Sequence, residues 1–395
     1  MVKGKKCEVL VINNIAQVGL KRFPAERYAV VKESKDPWAI LVRSQDLHKF
    51  EFGPSLRAVG RAGAGVNNIP VAALSKRGIP VFNAPGANAN AVKELVLAGM
   101  LIAARNLGPA LEFTRKLKNE NLEKTVEDGK KQFAGFELPG HTLGVIGLGK
   151  IGSLIADAAI RLGMNVLGYD PHITVEGAWS LPSQVKRATS VEEILKGSHF
   201  VTLHIPLMEK TRHTVNAKNL ELMRQGAVLL NFSREGVVSE DAVAQGLESG
   251  RLKWYVTDFP SKSLLGNERM ITLPHLGTST GKTKDNSAVM VVDEVRDYLE
   301  HGNLQNAVNF PDAMMAREAP YRLAIANANV PDMLGRISHV LGRRKINIHN
   351  MLNKSKGEMA YTLVDADSPV PAEVVDELGG LQGVLAVRYL PVDGG

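Results

Sequence analysis

One glycine-rich turn and two charged loops carry the residue types that chemistry would need. The apolar run Leu143-Gly144-Val145-Ile146 leads into Gly147-Leu148-Gly149-Lys150-Ile151-Gly152, the spacing G-x-G-x-x-G. Gly147 permits a tight turn, Gly149 lets the backbone approach a pyrophosphate, and Gly152 lets the next helix pack close to the strand. The helix N-terminus at Lys150 and Ile151 offers free N–H groups and a positive dipole end to phosphates. A second strand ends at Asp170, 18 residues past Gly152. A carboxylate there would take the ribose hydroxyls and repel a 2′-phosphate, which predicts NAD over NADP. Farther on, Arg234 follows the run Leu229-Leu230-Asn231-Phe232-Ser233, and His275 follows Leu273-Pro274. A guanidinium grips a carboxylate bidentately and polarises a carbonyl oxygen. An imidazole moves a hydroxyl proton near neutrality. Alone, each has a plain reading, as a turn arginine and a capping histidine. Behind a dinucleotide site the pair suits hydride transfer at a 2-hydroxy acid.

These residues need strand ends to hold them. Short apolar runs at 8–12, 39–42, 56–60 and 80–83 alternate with helix-favouring segments. A second series runs 143–146, 165–169, 200–204, 227–231 and 253–257. Such alternation implies parallel sheets with crossover helices, and ligands bind at the C-terminal edges of those sheets. A helix is expected over 92–107 and another over 281–301. The segment 303–320 reads as a joint, and the tail from Tyr321 reads strand, helix, strand, strand, helix, strand.

Composition narrows the class. The chain has 395 residues, 44% hydrophobic and 23% charged, which fits two to three globular domains rather than disorder. The lone cysteine, Cys7, forms no internal disulfide, in keeping with a reducing compartment. Lys3, Lys5 and Lys6 resemble the start of a signal peptide, but the apolar run after them is too short. With no long uncharged apolar stretch, the expectation is a cytoplasmic protein that binds no membrane. Lys and Arg outnumber Asp and Glu by 48 to 41, a net charge of +7. No basic stripe with interleaved aromatics is present, so small anions are expected as partners and nucleic acid is not. No metal is expected.

The ordered motifs resemble the D-2-hydroxyacid dehydrogenase family over residues 8–305. They are the run Arg61 to Asn68, the run Pro80 to Asn88, the glycine turn, Leu203-His204-Ile205-Pro206-Leu207, the Arg234 loop and the His275 loop. The resemblance implies a Rossmann-like nucleotide-binding domain (91–281) inserted in a flavodoxin-like substrate domain (1–90 and 282–310). The tail (318–395) resembles an ACT domain, a ferredoxin-like βαββαβ regulatory fold. That combination points to the branch acting on a phosphorylated 2-hydroxy acid at the start of serine biosynthesis. The alternatives are a hydroxypyruvate or glyoxylate reductase, and a non-catalytic NAD-sensing protein of this fold. By the resemblance, Arg234 binds the substrate carboxylate and His275 sits in the acid/base loop. Gly147, Gly149, Lys150, Ile151, Gly152, Asp170, His204, Pro206, Phe232 and Ser233 line the cofactor. Asp258 contacts the nicotinamide amide or caps a turn. Arg43, Ser44, Arg61, Gly65, Val66 and Asn88 face the substrate. A homo-oligomer, dimer or tetramer, is implied as well.

Two departures from the family pattern stand out. The family places a glutamate, partner of the histidine, near where this chain has Lys262. Either His275 acts unpaired, or a desolvated Lys262 is the acid/base; Lys262, as the residue that changes the pattern, is the first candidate. In the tail, Asp332 stands where ACT domains carry glycine. Asn327, Asn329 and Asn347 are the candidates for binding a serine effector; the alternative is a tail used only for subunit contacts.

Overall fold

The computed structural model describes residues 6–118 and 121–392. Lys3, Lys5 and the outermost ends of the first and last expected domains lie outside them. In the first sheet, β1 (Cys7–Ile12), β2 (Tyr28–Val31), β3 (Ala39–Val42), β4 (Ala58–Arg61) and β5 (Val81–Phe82) are parallel. Their order is β2-β1-β3-β4-β5, the flavodoxin-like arrangement. All four residues of β3 are buried, as in a parallel strand covered on both faces. The helix Gly281–His301 supplies one cover through Val291, Val292, Val295 and Tyr298. Gly60 in β4 lets it approach, since a Cβ there would come within 2.6 Å of Val291.

The second sheet holds β6 (Thr142–Ile146), β7 (Asn165–Tyr169), β8 (Val185–Arg187), β9 (Phe200–Leu203), β10 (Ala227–Asn231), β11 (Leu252–Thr257) and β12 (Met270–Thr272). They are parallel, in the order β12-β11-β10-β9-β6-β7-β8. The chain reverses its direction of travel across the sheet between β6 and β9, and nucleotides bind at such a switch point. The helix Ala89–Ala104 packs on this sheet through Val92, Val96, Met100 and Ala103.

The tail forms an antiparallel sheet of β13 (Tyr321–Ala328), β14 (Ile348–Lys356), β15 (Met359–Ala366) and β16 (Val384–Pro391), ordered β14-β15-β13-β16. The helices Met333–Arg343 and Ala372–Gly379 complete a βαββαβ unit. Alternation along the strands assigns its two faces. Leu323, Ile325, Val364 and Ala366 pack with the tail helices. Ala324, Ala326, Tyr361 and Leu363 share a core with Val9, Leu41 and Phe82 of the first sheet and Val291 of the helix Gly281–His301.

Contacts divide the chain into two compact units. One holds the residues up to Ala87 together with those from Gly281 onward, tail included; the other is Asn88–Thr280. The tail, 318–395, falls in the first of these units because both faces of its sheet are apolar. One helix layer covers only one of them.

Arg322 fixes the joint that leads into the tail. It is fully buried and grips Asp365 bidentately, Nε to Oδ1 at 2.6 Å and Nη2 to Oδ2 at 2.8 Å. It also donates to the carbonyls of His301, Met315 and Ala316. Removing one partner of such a pair leaves a buried charge uncompensated. Arg322→Ala should cost about 3–5 kcal/mol of stability, read by urea or thermal unfolding.

Candidate active site

The C-terminal edge of the second sheet gathers the chemistry-bearing residues of that unit. Gly147 follows β6 with φ +92°, and a Cβ there would lie 2.5 Å from the carbonyl oxygen of His204, the first residue after β9. Gly152 is required as strictly, because its Cβ would fall on the Gly147 carbonyl oxygen. Gly149 has nothing within 4 Å of where a Cβ would stand, so space is open above the N-terminus of the helix Lys150–Arg161. No side chain caps that terminus. Asp170, just past β7, is aimed by two backbone amides: Leu148 N–H donates to Oδ2 at 2.9 Å and His172 N–H to Oδ1 at 2.9 Å. A glycine cradle, an open helix terminus and an oriented carboxylate fit the diphosphate and ribose of a dinucleotide. Beside them, His204 bonds Thr202 Oγ1 through Nε2 at 2.8 Å, and its Nδ1 is buried without a partner. Burial pushes its pKa down to about 3, so it stays neutral and shapes the loop before Pro206.

The ends of β10, β11 and β12 carry the charged groups. Asn231, buried at the end of β10, holds the turn that follows. Its Oδ1 accepts from Ser233 N–H and Oγ–H, and its Nδ2 donates to the Arg234 carbonyl at 3.0 Å. Thr257 Oγ1 donates to the Asn231 carbonyl at 3.0 Å and accepts from Phe259 N–H, tying the end of β11 to that of β10. Phe232 and Ser233 are buried, whereas Arg234 is exposed, with Nη1 bonded to the Ser233 carbonyl.

Asp258, first after β11, has a side chain only 3% exposed, and its Oδ2 lies 3.6 Å from His275 Nδ1. That is an ion-pair distance rather than a hydrogen bond, as in many catalytic pairs before substrate binds. The Asp258 Oδ1 is buried with no hydrogen-bond partner. Burial pushes its carboxyl above the ordinary carboxylate range, against the opposing pull of the His275 and Arg234 charges. Phe259 packs edge-on against the His275 ring, centroids 5.0 Å apart. The structure thus sets a carboxylate, Asp258, beside His275. β11 and β12 are neighbours, so their ends bring Asp258 to His275. The His275 loop also meets Asn88, the residue before the helix Ala89–Ala104: a Cβ on Gly277 would contact Val92 and lie 3.9 Å from Asn88 Nδ2.

In the first unit, Arg43, Ser44, Arg61, Gly65 and Val66 follow β3 or close β4. Arg61 Nε donates to the Arg43 carbonyl at 3.1 Å, and burial together with the Arg43 charge lowers its pKa. Asn13, in a left-handed turn after β1, accepts from the backbone N–H groups of Ser44 and Gln45.

Comparison with known proteins gives these positions a family. Residues 97–277 match the NAD binding domain of D-isomer specific 2-hydroxyacid dehydrogenases. The chain is 35% identical over 322 residues to D-3-phosphoglycerate dehydrogenase of Methanocaldococcus jannaschii, covering 78% of this chain and 58% of that one. It is 31% identical over 353 residues to D-3-phosphoglycerate dehydrogenase of Haemophilus influenzae, covering 86% and 83%. This chain belongs to the D-2-hydroxyacid dehydrogenase family. Rhodotorula graminis D-mandelate dehydrogenase shares its fold, with a TM-score of 0.65 at 22% identity over 79% of this chain and 99% of that one. The chain spans little more than half the length of the M. jannaschii relative.

Lys262 is the first candidate for the acid/base by the resemblance. It is exposed in the loop after β11, so it lacks the desolvation on which an acid/base role would rest. Lys262→Ala should keep kcat within about twofold in a steady-state assay, because Asp258 already faces the histidine. In the tail, Asn327 and Asn329 line a 200 Å³ pocket, whereas Asn347 is elsewhere, donating to Asp367 Oδ2. The expected trio is thus divided. Asn327 is itself engaged, donating to the Ala328 carbonyl and accepting from Thr362. Asp332 borders the same pocket in a left-handed conformation, φ +61°, and its side chain makes no cap hydrogen bond to the helix Met333–Arg343. Among the described residues no single helix is long and apolar enough to cross a membrane.

Proposed function

We propose that the protein is an NAD-dependent dehydrogenase that oxidises D-3-phosphoglycerate to 3-phosphohydroxypyruvate, the first step of serine biosynthesis. The observation that carries this is the meeting of Arg234, Asp258 and His275 at the edge of an NAD-binding sheet. The names of the M. jannaschii and H. influenzae relatives support the choice of substrate. NAD, when bound, accepts the hydride leaving C2. Arg234 holds the substrate carboxylate and draws the C2 oxygen. His275 takes the hydroxyl proton, and Asp258, ionised, stabilises the imidazolium that forms. Arg43 and Arg61 are assigned to the phosphate, whose two negative charges suit paired guanidiniums. Asp170 rejects a 2′-phosphate, so kcat/KM with NAD should exceed that with NADP by about 100-fold or more.

Serine is left out of the proposal, since Asp332 adds a carboxylate to the wall of the pocket that Asn327 and Asn329 line, which disfavours an anionic group there. A homo-oligomer is part of it. Leu107, Leu111 and Leu122 expose apolar side chains on two neighbouring helices of the nucleotide unit, which suits a subunit contact. The deciding experiment follows NADH at 340 nm with D-3-phosphoglycerate, glycerate and glycolate as separate substrates. Preference for the phosphorylated acid, lost in Arg43→Ala, is the expected result. Equal or better turnover of glycerate or glycolate would assign the reductase alternative, and no turnover would favour an NAD-sensing role.

A further inference from the structure

Within the first unit, the tail sheet and the end of the helix Gly281–His301 enclose a cavity of about 560 Å³. Its size suits a small-molecule ligand. Four arginines line it: Arg27, 3.9 Å from the Glu300 carboxylate, and three that come from three directions, Arg57 just before β4, Arg317 in the joint, and Arg388 on β16. Trp38 and Tyr389 are also in its wall.

The three guanidiniums bond only to neutral groups. Arg57 Nη1 donates to the carbonyls of Pro54 and Leu56. Arg317 donates to the carbonyls of Ala319, Pro320 and Leu390. Arg388, buried and stacked over the Tyr298 ring at 4.4 Å, donates to the carbonyls of Tyr298 and Leu299. These bonds orient the groups without neutralising them. Among the described residues none of the three has a carboxylate within 4.0 Å. The Glu300 carboxylate at the rim is engaged instead with Tyr28 and lies 3.9 Å from Arg27. The repulsion is felt in the groups themselves: burial and the Arg388 charge lower the pKa of Arg57, and burial and the Arg322 charge lower that of Arg317. Clustered, partly desolvated cations with no carboxylate in ion-pair contact are costly, against only the longer-range pull of Asp36 on Arg57 and of Asp365 on Arg317, and a bound anion offsets that cost. Donors remain for one: Arg57 Nε and Nη2, Arg317 Nη1 and Arg388 Nε have no bonding partner among the described residues.

We propose that this cavity binds a small organic polyanion, a metabolite bearing two or more negative charges on carboxylates or phosphates. The occupant would bridge the tail strand β16, the joint and the first sheet, so its binding clamps the tail onto the unit. The site is distinct from the residues assigned above to substrate and NAD, and it stands whichever hydroxy acid the enzyme takes.

Isothermal titration calorimetry with citrate in one arm and inorganic pyrophosphate in the other tests this, with sodium chloride at matched ionic strength as the blank. Since anions also suit Arg234, the titrations are run in the Arg234→Gln background. The expected result is saturable binding of at least one probe at one per chain, a change in Trp38 fluorescence that Trp38→Phe abolishes, and a rise in Tm. The arm that binds more tightly tells carboxylate from phosphate. Adding Arg57→Gln and Arg317→Gln should weaken binding about tenfold or more. Arg57→Gln alone serves if the pair impairs folding. Neither probe binding saturably, or equal affinity with and without Arg57 and Arg317, would overturn the proposal.

Discussion

Arg234→Lys should lower kcat/KM for the hydroxy acid by about 10²–10³, with the Tm unchanged. The fold does not depend on this side chain: it is exposed, and its one bond goes to the neighbouring Ser233 carbonyl. What the fold does fix is the backbone beneath it, through the bond from Asn231 Nδ2 to the Arg234 carbonyl. The guanidinium therefore projects from a pinned turn, free to take a carboxylate in a two-pronged grip. Lysine keeps the charge but offers a point donor in place of a planar fork. Losing one donor aimed at developing oxyanion charge costs about 2.7–4 kcal/mol in comparable sites, which is the stated range. The loss should fall on kcat as well as KM, because the C2 oxygen is polarised most in the transition state. A kcat/KM within threefold of wild type would remove Arg234 from the mechanism.

Much of the architecture was legible because it is written in local patterns. Buried parallel strands read as apolar runs, and the glycine turn declares itself because Gly147 and Gly152 each face a backbone carbonyl too close for a Cβ. The βαββαβ order of the tail was readable for the same reason, since its strands read as apolar runs, buried on both faces along most of β13 and β15. The pairing of Asp258 with His275 was not readable. It depends on β11 and β12 lying side by side, a fact of sheet order separated in sequence by a loop without a strong signal. Lys262 is the conspicuous residue in that loop, yet it stands in solvent. Asn231 had a weak signal, a polar residue closing a fully buried strand; Thr257 had none, since a threonine in a strand is ordinary. Asn347 shares only its residue type with Asn327 and Asn329: it precedes β14, at the opposite end of the sheet from them.

Asp258→Asn should separate catalysis from stability, lowering kcat about 10²-fold while leaving the protein no less stable at neutral pH. The catalytic half follows from charge. As His275 gains a proton, only an ionised Asp258 stabilises the cation beside it; an amide of the same shape does not. The stability half follows from the direction of the shift. Burial raises the folded-state pKa of Asp258 above its unfolded value, so ionising it opposes folding. Between those two values the folded chain holds more protons than the unfolded one, and stability falls as pH rises. The contribution is fully present below the unfolded pKa and lost as pH climbs through the folded one. The asparagine variant has no proton to lose there. Its Tm relative to wild type should therefore climb as pH rises out of the carboxylate range and level off above the folded pKa. Asp258 Oδ1 has no hydrogen bond to forfeit, which keeps the substitution mild. In kcat, the acid limb that reports this carboxyl should lie above the ordinary carboxylate range in wild type and vanish in the variant. A variant with wild-type kcat would leave His275 without a working partner. A Tm difference that shrinks as pH rises would mean that the His275 and Arg234 charges outweigh burial at this carboxyl.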